Sequence, residues 1–339
     1  MRTEIAQQPA ALRATLEALM PRGGEAAALA RDCRQVLFIA RGTSDNAAVY
    51  GTYLLQAHAG MLATLASPSI ATEYHSRMDL SGVLAVALSQ SGATEEIVET
   101  LAWARDCGAR TLAITNGGGS PLTQVADLAF VTAAGAELAV PATKTFTTQL
   151  AALAVLAIAL GADLDPGLLR SVPDEIERML AAPDEVEPMV AELTGAGGVV
   201  VSGRGHAYAA ALELALKLKE ACYLHAMGLS WADLLHGPIA VVDASTPAII
   251  VAADSGPALP GSIELARRVV AAGARAYAIG GGPGLAEASS LAVPGPRLPE
   301  WLAPLGLIVP GQLLTEALSR RLGIDPDSPR GLSKVTQTA

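Results

Sequence analysis

The chain has 339 residues, 51% of them hydrophobic but only 4% aromatic, with a net charge of −10. That length fits two ordinary domains, and a core of Ala, Val, Leu and Ile fits buried parallel strands. With no basic block, the charge argues against nucleic acid or an anionic membrane surface as a partner. Cys33, Cys107 and Cys222 are scattered, with no CxxC spacing, so neither a disulfide framework nor a zinc site is expected. The N-terminal stretch carries acids and lacks the apolar core of a signal peptide. The longest apolar run, "LAALAVLAIALGA" (150–162), falls short of the roughly 20 residues that span a bilayer. A cytoplasmic protein is expected.

In chain order, residues 4–20 predict a lead-in helix and "QVLFIA" (35–40) a strand running into "RGTSD". A helix is expected from about 45 to 58, then strands at "LATLAS" (62–67) and "VLAVALS" (83–89). "EEIVETLAWARDCG" (95–108) has helical spacing and stops at Gly108. "RTLAIT" (110–115) and "LAFVTAA" (128–134) complete a β-α-β alternation, hence a parallel sheet flanked by helices. The run at 150–162 reads as a buried helix. Residues 163–190 are acidic, Pro-punctuated and amphipathic, and are expected as helices joining two domains.

The second half repeats the first. "VLFIARGTSDNAA" (36–48) matches "VVVSGRGHAYAAA" (199–211), which sets Arg41-Gly42 on Arg204-Gly205. "VLAVALSQSG" (83–92) matches "PAIIVAADSG" (247–256), and "ARTLAITNGGG" (109–119) matches "ARAYAIGGGPG" (274–284). Three matches in order predict an internal duplication. The copies differ at their turns: hydroxyls crowd "GTS" and "SQSGAT", whereas "GHA" and "DSGPAL" keep only Ser255 and gain an acid.

The hydroxyl loops point to an anion. Ser89, Gln90, Ser91, Gly92 and Thr94 lie between a strand and a helix, at the sheet edge where open α/β folds bind ligands. Thr43 and Ser44 follow the first strand at the same edge. Helix N-termini supply N–H groups and positive dipole ends, hydroxyls supply neutral donors, and glycine admits close approach. Plain helix capping is the competing use of such residues. The helix in "ALELALKLKEACYLHA" (211–226) is apolar nearly all round and should be buried. Lys217 and Glu220 share a face on it. A surface pair there would be worth only ~0.3–0.5 kcal/mol, whereas desolvated charges have the shifted pKa values that acid–base chemistry uses; a structural ion pair is the alternative. His236, in "LLHGPIAVVD" (234–243), sits on a turn expected to open into a strand, where it could titrate near neutrality. The polar tail "PRGLSKVTQTA" (329–339) has no periodicity and by itself reads as frayed.

Seven motifs in register, "RGTS" (41–44), "LSQSGAT" (88–94), "PATKTFTTQL" (141–150), "GRG" (203–205), "ALKLKE" (215–220), "HGP" (236–238) and "PRGLSKVT" (329–336), resemble the sugar isomerase (SIS) domain family over nearly the whole chain. The likeness is to the isomerase half of the glutamine–fructose-6-phosphate aminotransferases and to stand-alone glucosamine-6-phosphate deaminases. The resemblance implies two SIS subdomains, each a five-stranded parallel sheet between helices, in a homodimer. The corresponding boundaries are a lead-in (1–30), subdomain 1 (31–162), a helical linker (163–193), subdomain 2 (194–325) and a tail over the active site (326–339). By position it implies that Thr43, Ser89, Gln90, Ser91 and Thr94 bind phosphate, with Ser44 beside them. Glu220 would move a proton between sugar C1 and C2, and Lys217 would be its catalytic neighbour. His236 would assist ring opening from the partner subunit, and Lys334 would form an imine with the open-chain ketose. Val140 and Ser333 match further sugar-contacting positions.

The implied substrate is a hexose 6-phosphate, with no metal and no other cofactor. The expected reaction is conversion of glucosamine 6-phosphate to fructose 6-phosphate and ammonia. An ammonia-dependent or partner-fed synthase, a deglycase on another 6-phosphate adduct and a non-catalytic sugar-phosphate sensor are the alternatives. No glutaminase domain is expected, a departure from the aminotransferase pattern. Ala142 stands for a sugar-contacting serine, Met227 for an acid, and Asp233 for the usual glutamate.

Overall fold

A computed structural model describes residues 1–334. The chain divides into two compact units: Ala10–Glu137 with Lys144–Arg170 and the tail from Ser333, and Met1–Pro9 with Leu138–Thr143 and Ser171–Leu332. They are called here the first and second unit.

The first unit is built on β1 (Gln35–Ile39), β2 (Leu62–Leu65), β3 (Val83–Ser89), β4 (Arg110–Thr115) and β5 (Leu128–Val131). All pair in parallel, in the order β2-β1-β3-β4-β5. Every residue of β3 is buried, as a central strand covered on both faces requires. On one face Val83, Ala85 and Ala87 pack with Ile97, Leu101 and Ala104 of the Glu95–Asp106 helix. Full burial of a side chain such as Ile97 or Leu101 contributes about 1.5–3 kcal/mol. The Thr43–His58 helix packs against the Lys144–Ala159 helix. The latter is buried from Lys144 through Ala157 and begins six residues before the apolar run that predicted it.

The second unit repeats this plan with β6 (Gly198–Gly203), β7 (His225–Ser230), β8 (Ala248–Ala252), β9 (Ala276–Gly280) and β10 (Leu291–Val293), in the parallel order β10-β9-β8-β6-β7. Read from the other edge, β7-β6-β8-β9-β10 is the order of the first sheet, so the duplication seen in sequence is a duplication of fold. Its core joins Val200, Ile250, Ala276 and Ala278 to Leu265 and Val269 of the Leu259–Ala271 helix. The Tyr208–Cys222 helix packs along the almost wholly buried Ala303–Arg321 helix.

Two local readings need correction. "HAMGLS", not recognised as a strand, is β7. "PIAVV" after His236 does not open a strand: Pro238–Val241 is a 3-10 turn, entered from Gly237 at φ 130°. No helix among the described residues is long and apolar enough to cross a membrane.

Candidate active site

In the first sheet the strand order reverses between β1 and β3, and ligands of open α/β sheets gather at such a reversal. The loops that leave these two paired strands are the hydroxyl loops. Ser89 ends β3; its Oγ accepts the Gly92 N–H at 3.1 Å and lies 3.4 Å from Thr94 Oγ1. Ser91 Oγ accepts the Ala93 N–H at 3.2 Å. Thr94 is the N-cap residue of the twelve-residue Glu95–Asp106 helix, but its side chain makes no capping bond. Plain capping therefore does not explain it. The Gln90 carbonyl accepts the Asn116 N–H at 3.1 Å and the Thr115 hydroxyl at 3.3 Å, which ties the loop to the end of β4.

Gly92 has φ +65°, and a Cβ there would overlap the Ser120 hydroxyl. The position therefore requires glycine on both backbone and steric grounds.

After β1, Gly42 leads into Thr43, the first residue of a 16-residue helix. Ser44 is buried, and its Oγ accepts from Gln149 Nε2 at 3.0 Å, so it holds the Lys144–Ala159 helix. The two loops are also braced from outside. Arg41 donates from Nε and Nη2 to the two oxygens of Glu96 at 2.9 and 2.8 Å. Local spacing does not signal this bidentate pair, because its members lie 55 residues apart. Burial pushes the Asp45 carboxyl above its ordinary pKa, partly offset by Arg41.

The matching turns of the second unit are filled from within. Gly205 and Gly256 also have positive φ, but a Cβ on Gly205 would stand 3.2 Å from Glu300 Oε1, and one on Gly256 would overlap Glu300 Oε2. His206, at the place of Thr43, has Nδ1 3.8 Å from the same carboxylate. Burial raises the pKa of Glu300. One carboxylate thus occupies the space between the two turns.

The second unit also carries the charged helix. Lys217 is 1% exposed. Its Nζ pairs with Glu220 Oε2 three residues on, and with Glu213 Oε1, four residues back and fully buried, at 3.4 Å. Burial works to lower the Lys217 pKa, but Glu213 and Glu220 outweigh it and hold the ammonium above the ordinary lysine value. Glu220 keeps about a quarter of its side chain exposed (23%), so it is the accessible member of the trio. Glu213 was missed in the sequence, although the i, i+4 spacing to Lys217 signals it. The helix ends at Tyr223, in the left-handed region at φ +54°. The Tyr223 hydroxyl accepts the Arg330 N–H at 2.7 Å, and its ring lies 4.5 Å under the Arg330 guanidinium. His236 is exposed on the turn after the Trp231–Leu235 helix. Val140 donates its N–H to the Asp327 carbonyl at 3.0 Å. Of the departures, Met227 is 43% exposed, and Ala142 is buried.

In the first unit, Lys334 Nζ is 2.8 Å from Glu137 Oε2, so this part of the tail is held, next to Ser333. Residues 335–339 of the tail lie outside the described residues. Among the described residues no group of three His, Cys, Asp or Glu side chains is placed to hold a metal ion.

A model of the SIS domain matches residues 29–159 and 192–289. The chain is 33% identical over 341 residues to the glutamine–fructose-6-phosphate aminotransferase [isomerizing] of Pyrococcus horikoshii, covering 98% of this chain and 57% of that protein. It thus spans little more than half the length of this relative. The C-terminal domain of glucosamine-fructose-6-phosphate aminotransferase from Francisella tularensis superposes with a TM-score of 0.85 at 27% identity, covering 97% of this chain and 98% of that one. Glucosamine-6-phosphate deaminase from Thermotoga maritima shares the fold at a TM-score of 0.81 and 22% identity, covering 99% of each chain.

Proposed function

Because the chain belongs to the SIS domain family, we propose that it is a phosphosugar isomerase that removes the amino group of glucosamine 6-phosphate, giving fructose 6-phosphate and ammonia. The observation that carries this reading is the Glu213–Lys217–Glu220 trio, a buried ammonium held between two carboxylates on one helix. A sugar-phosphate sensor needs hydroxyl loops but has no use for a desolvated charge trio, which is expensive to bury.

The roles follow from the chemistry of each group. Thr43, Ser89, Gln90, Ser91 and Thr94 take the phosphate with neutral donors and helix N-termini. His236 assists ring opening; its exposure fits a group that serves across a homodimer interface. Glu220, the accessible carboxylate, takes the C2 proton and returns it to C1. Lys217, raised in pKa by Glu213 and Glu220 against its burial, stays protonated near neutrality. It therefore stabilises the developing enediol-like anion rather than acting as a base. The resulting C2 imine passes its carbon to Lys334, ammonia leaves, and water releases fructose 6-phosphate. Val140 and Ser333 contact the sugar, and no metal or redox group enters. The enzyme acts in the cytoplasm.

Run from the other side, the same groups join ammonia to fructose 6-phosphate. The observation favouring that direction is the identity to an isomerizing aminotransferase. The test is ammonia release from glucosamine 6-phosphate, and glucosamine 6-phosphate formation from fructose 6-phosphate and ammonium, by wild type and Glu220→Gln. Loss of about 10²–10⁴ in kcat in the variant is expected. Sugar-phosphate binding with turnover in neither direction would replace the enzyme reading by the sensor. Full activity of Glu220→Gln would remove the base assignment. A panel of hexose 6-phosphates tests whether Met227, Ala142 and Asp233 shift the sugar preference.

A further inference from the structure

Glu137 is fully buried, in an otherwise small and apolar stretch, "AGAELAVPAT" (134–143). A carboxylate in such a place is costly unless its oxygens are matched by donors. They are matched. Oε1 accepts the Thr145 N–H at 3.1 Å, in the first turn of the Lys144–Ala159 helix. Oε2 accepts the Thr145 hydroxyl at 2.5 Å and the Lys334 ammonium at 2.8 Å. Thr145 thus fixes the carboxylate at both oxygens, while Oε2 also meets a partner from the far end of the chain, Lys334. Lys334 is the less confined member, with 24% of its side chain exposed.

We propose that Glu137 is the acid–base partner of Lys334 in the imine step: it anchors Lys334 and takes the proton that Lys334 must lose before it can attack carbon. This rests on the reading of Lys334 as the imine-forming amine. An ammonium has no lone pair, so it cannot add to a carbonyl until a proton leaves. Glu137 Oε2 stands within hydrogen-bond reach of that proton. In the step, Lys334 gives one proton to Glu137 and its nitrogen lone pair adds to C2 of the open-chain ketose. The carbonyl π pair moves to oxygen, and a second nitrogen proton passes to that oxygen, giving a carbinolamine. Glu137 then returns its proton to the leaving hydroxyl. Water departs, the nitrogen lone pair closes the C2=N bond, and the carboxylate is restored. Ammonia replaces water as the leaving group when the entering carbon is the amino sugar's own C2 imine. No oxidant, reductant or second acid is consumed.

The test is borohydride trapping of full-length protein with saturating fructose 6-phosphate, followed by intact mass and peptide mapping. Wild type is expected to carry the reduced sugar on Lys334. Glu137→Gln keeps the shape but accepts no proton at its amide nitrogen; it should label at least about tenfold more slowly, with unchanged affinity for inorganic phosphate. Glu137→Asp should regain part of the rate. Thr145→Val, which leaves the carboxylate but removes the hydroxyl donor to Oε2, should slow labelling severalfold, and serves should Glu137→Gln fail to fold. Labelling of Glu137→Gln or Thr145→Val at the wild-type rate overturns the role of Glu137 while leaving the imine intact. Absence of label on wild-type Lys334 overturns the imine reading, and the role of Glu137 with it.

Discussion

Replacing Lys217 by Met separates what the charged helix does for folding from what it does for chemistry. Lys217 Nζ lies 3.4 Å from the fully buried Glu213 carboxylate. At an effective dielectric constant of 20 that contact is worth about 5 kcal/mol of gross attraction, most of it returned as desolvation. Removing the ammonium strands the Glu213 charge, and breaking a buried pair in this way costs about 3–5 kcal/mol. At about 2–4 °C per kcal/mol for a unit of this size, the melting point should fall by roughly 6–20 °C. Lys217→Met combined with Glu213→Leu removes both buried charges and leaves Glu220 in contact with water. Stability should then recover to within about 1 kcal/mol of wild type or exceed it. Ammonia release should stay about 10²–10³-fold down, as when a transition-state donor is deleted. Thermal melts and turnover are measured on the same samples. A Lys217→Met protein that melts like wild type would mean that Glu213 carries no charge. A double variant that regains turnover would take Lys217 out of the chemistry. The sign with pH is fixed too. The folded pKa of Lys217 lies above the ordinary lysine value of 10.5, because Glu213 and Glu220 outweigh burial. Its stabilisation is therefore complete below about pH 10.5 and is lost as the pH rises through the folded value; the double variant should lack this alkaline loss.

Gly92→Ala forces a side chain into φ +65° and onto Ser120; it should cost about 1–3 kcal/mol, and competition binding should show weaker phosphate affinity. Glu300→Gln should raise the melting point at pH 7, because burial lifts the Glu300 pKa and so penalises its charged form in the folded state. That gain should vanish as the pH falls below the ordinary value of 4.5, where both states hold the proton. Tyr223→Phe deletes the acceptor for the Arg330 N–H. It should cost about 0.5–1.5 kcal/mol and speed proteolysis around residue 330.

The sheet strands were legible because each central one is an aliphatic run closed by Gly, Ser or Asn, and β4 falls where "RTLAIT" put it. The duplication was legible because the Arg-Gly and Ser-Gly pairs sit at strand ends in both halves. β7 was not, since only Ala226 and Ser230 of it are buried and no apolar run marks it. "PIAVV" misled for the opposite reason: it has strand composition, but Pro238 lacks an N–H to pair and Gly237 turns the chain into a 3-10 turn. The hydroxyl loops and the Lys217–Glu220 pair could be found from local spacing. Glu137 could not, because its meaning lies in a contact with Lys334 across 197 positions of sequence, and no local period encodes such a pairing.

The Glu300 carboxylate gives the two halves different histories. Where the second unit closes its paired glycine turns on a side chain of its own, that half is complete as soon as the chain has folded. Under the proposed function, the first unit keeps the corresponding turns for an incoming anion. Ligand linkage, which grows as RT ln(1 + [L]/Kd), then acts on one copy of the fold and leaves its twin indifferent. Hydrogen exchange with and without sugar phosphate should show protection rising around Gly42 and Gly92, while amides around Gly205 and Gly256 exchange at the same rate throughout.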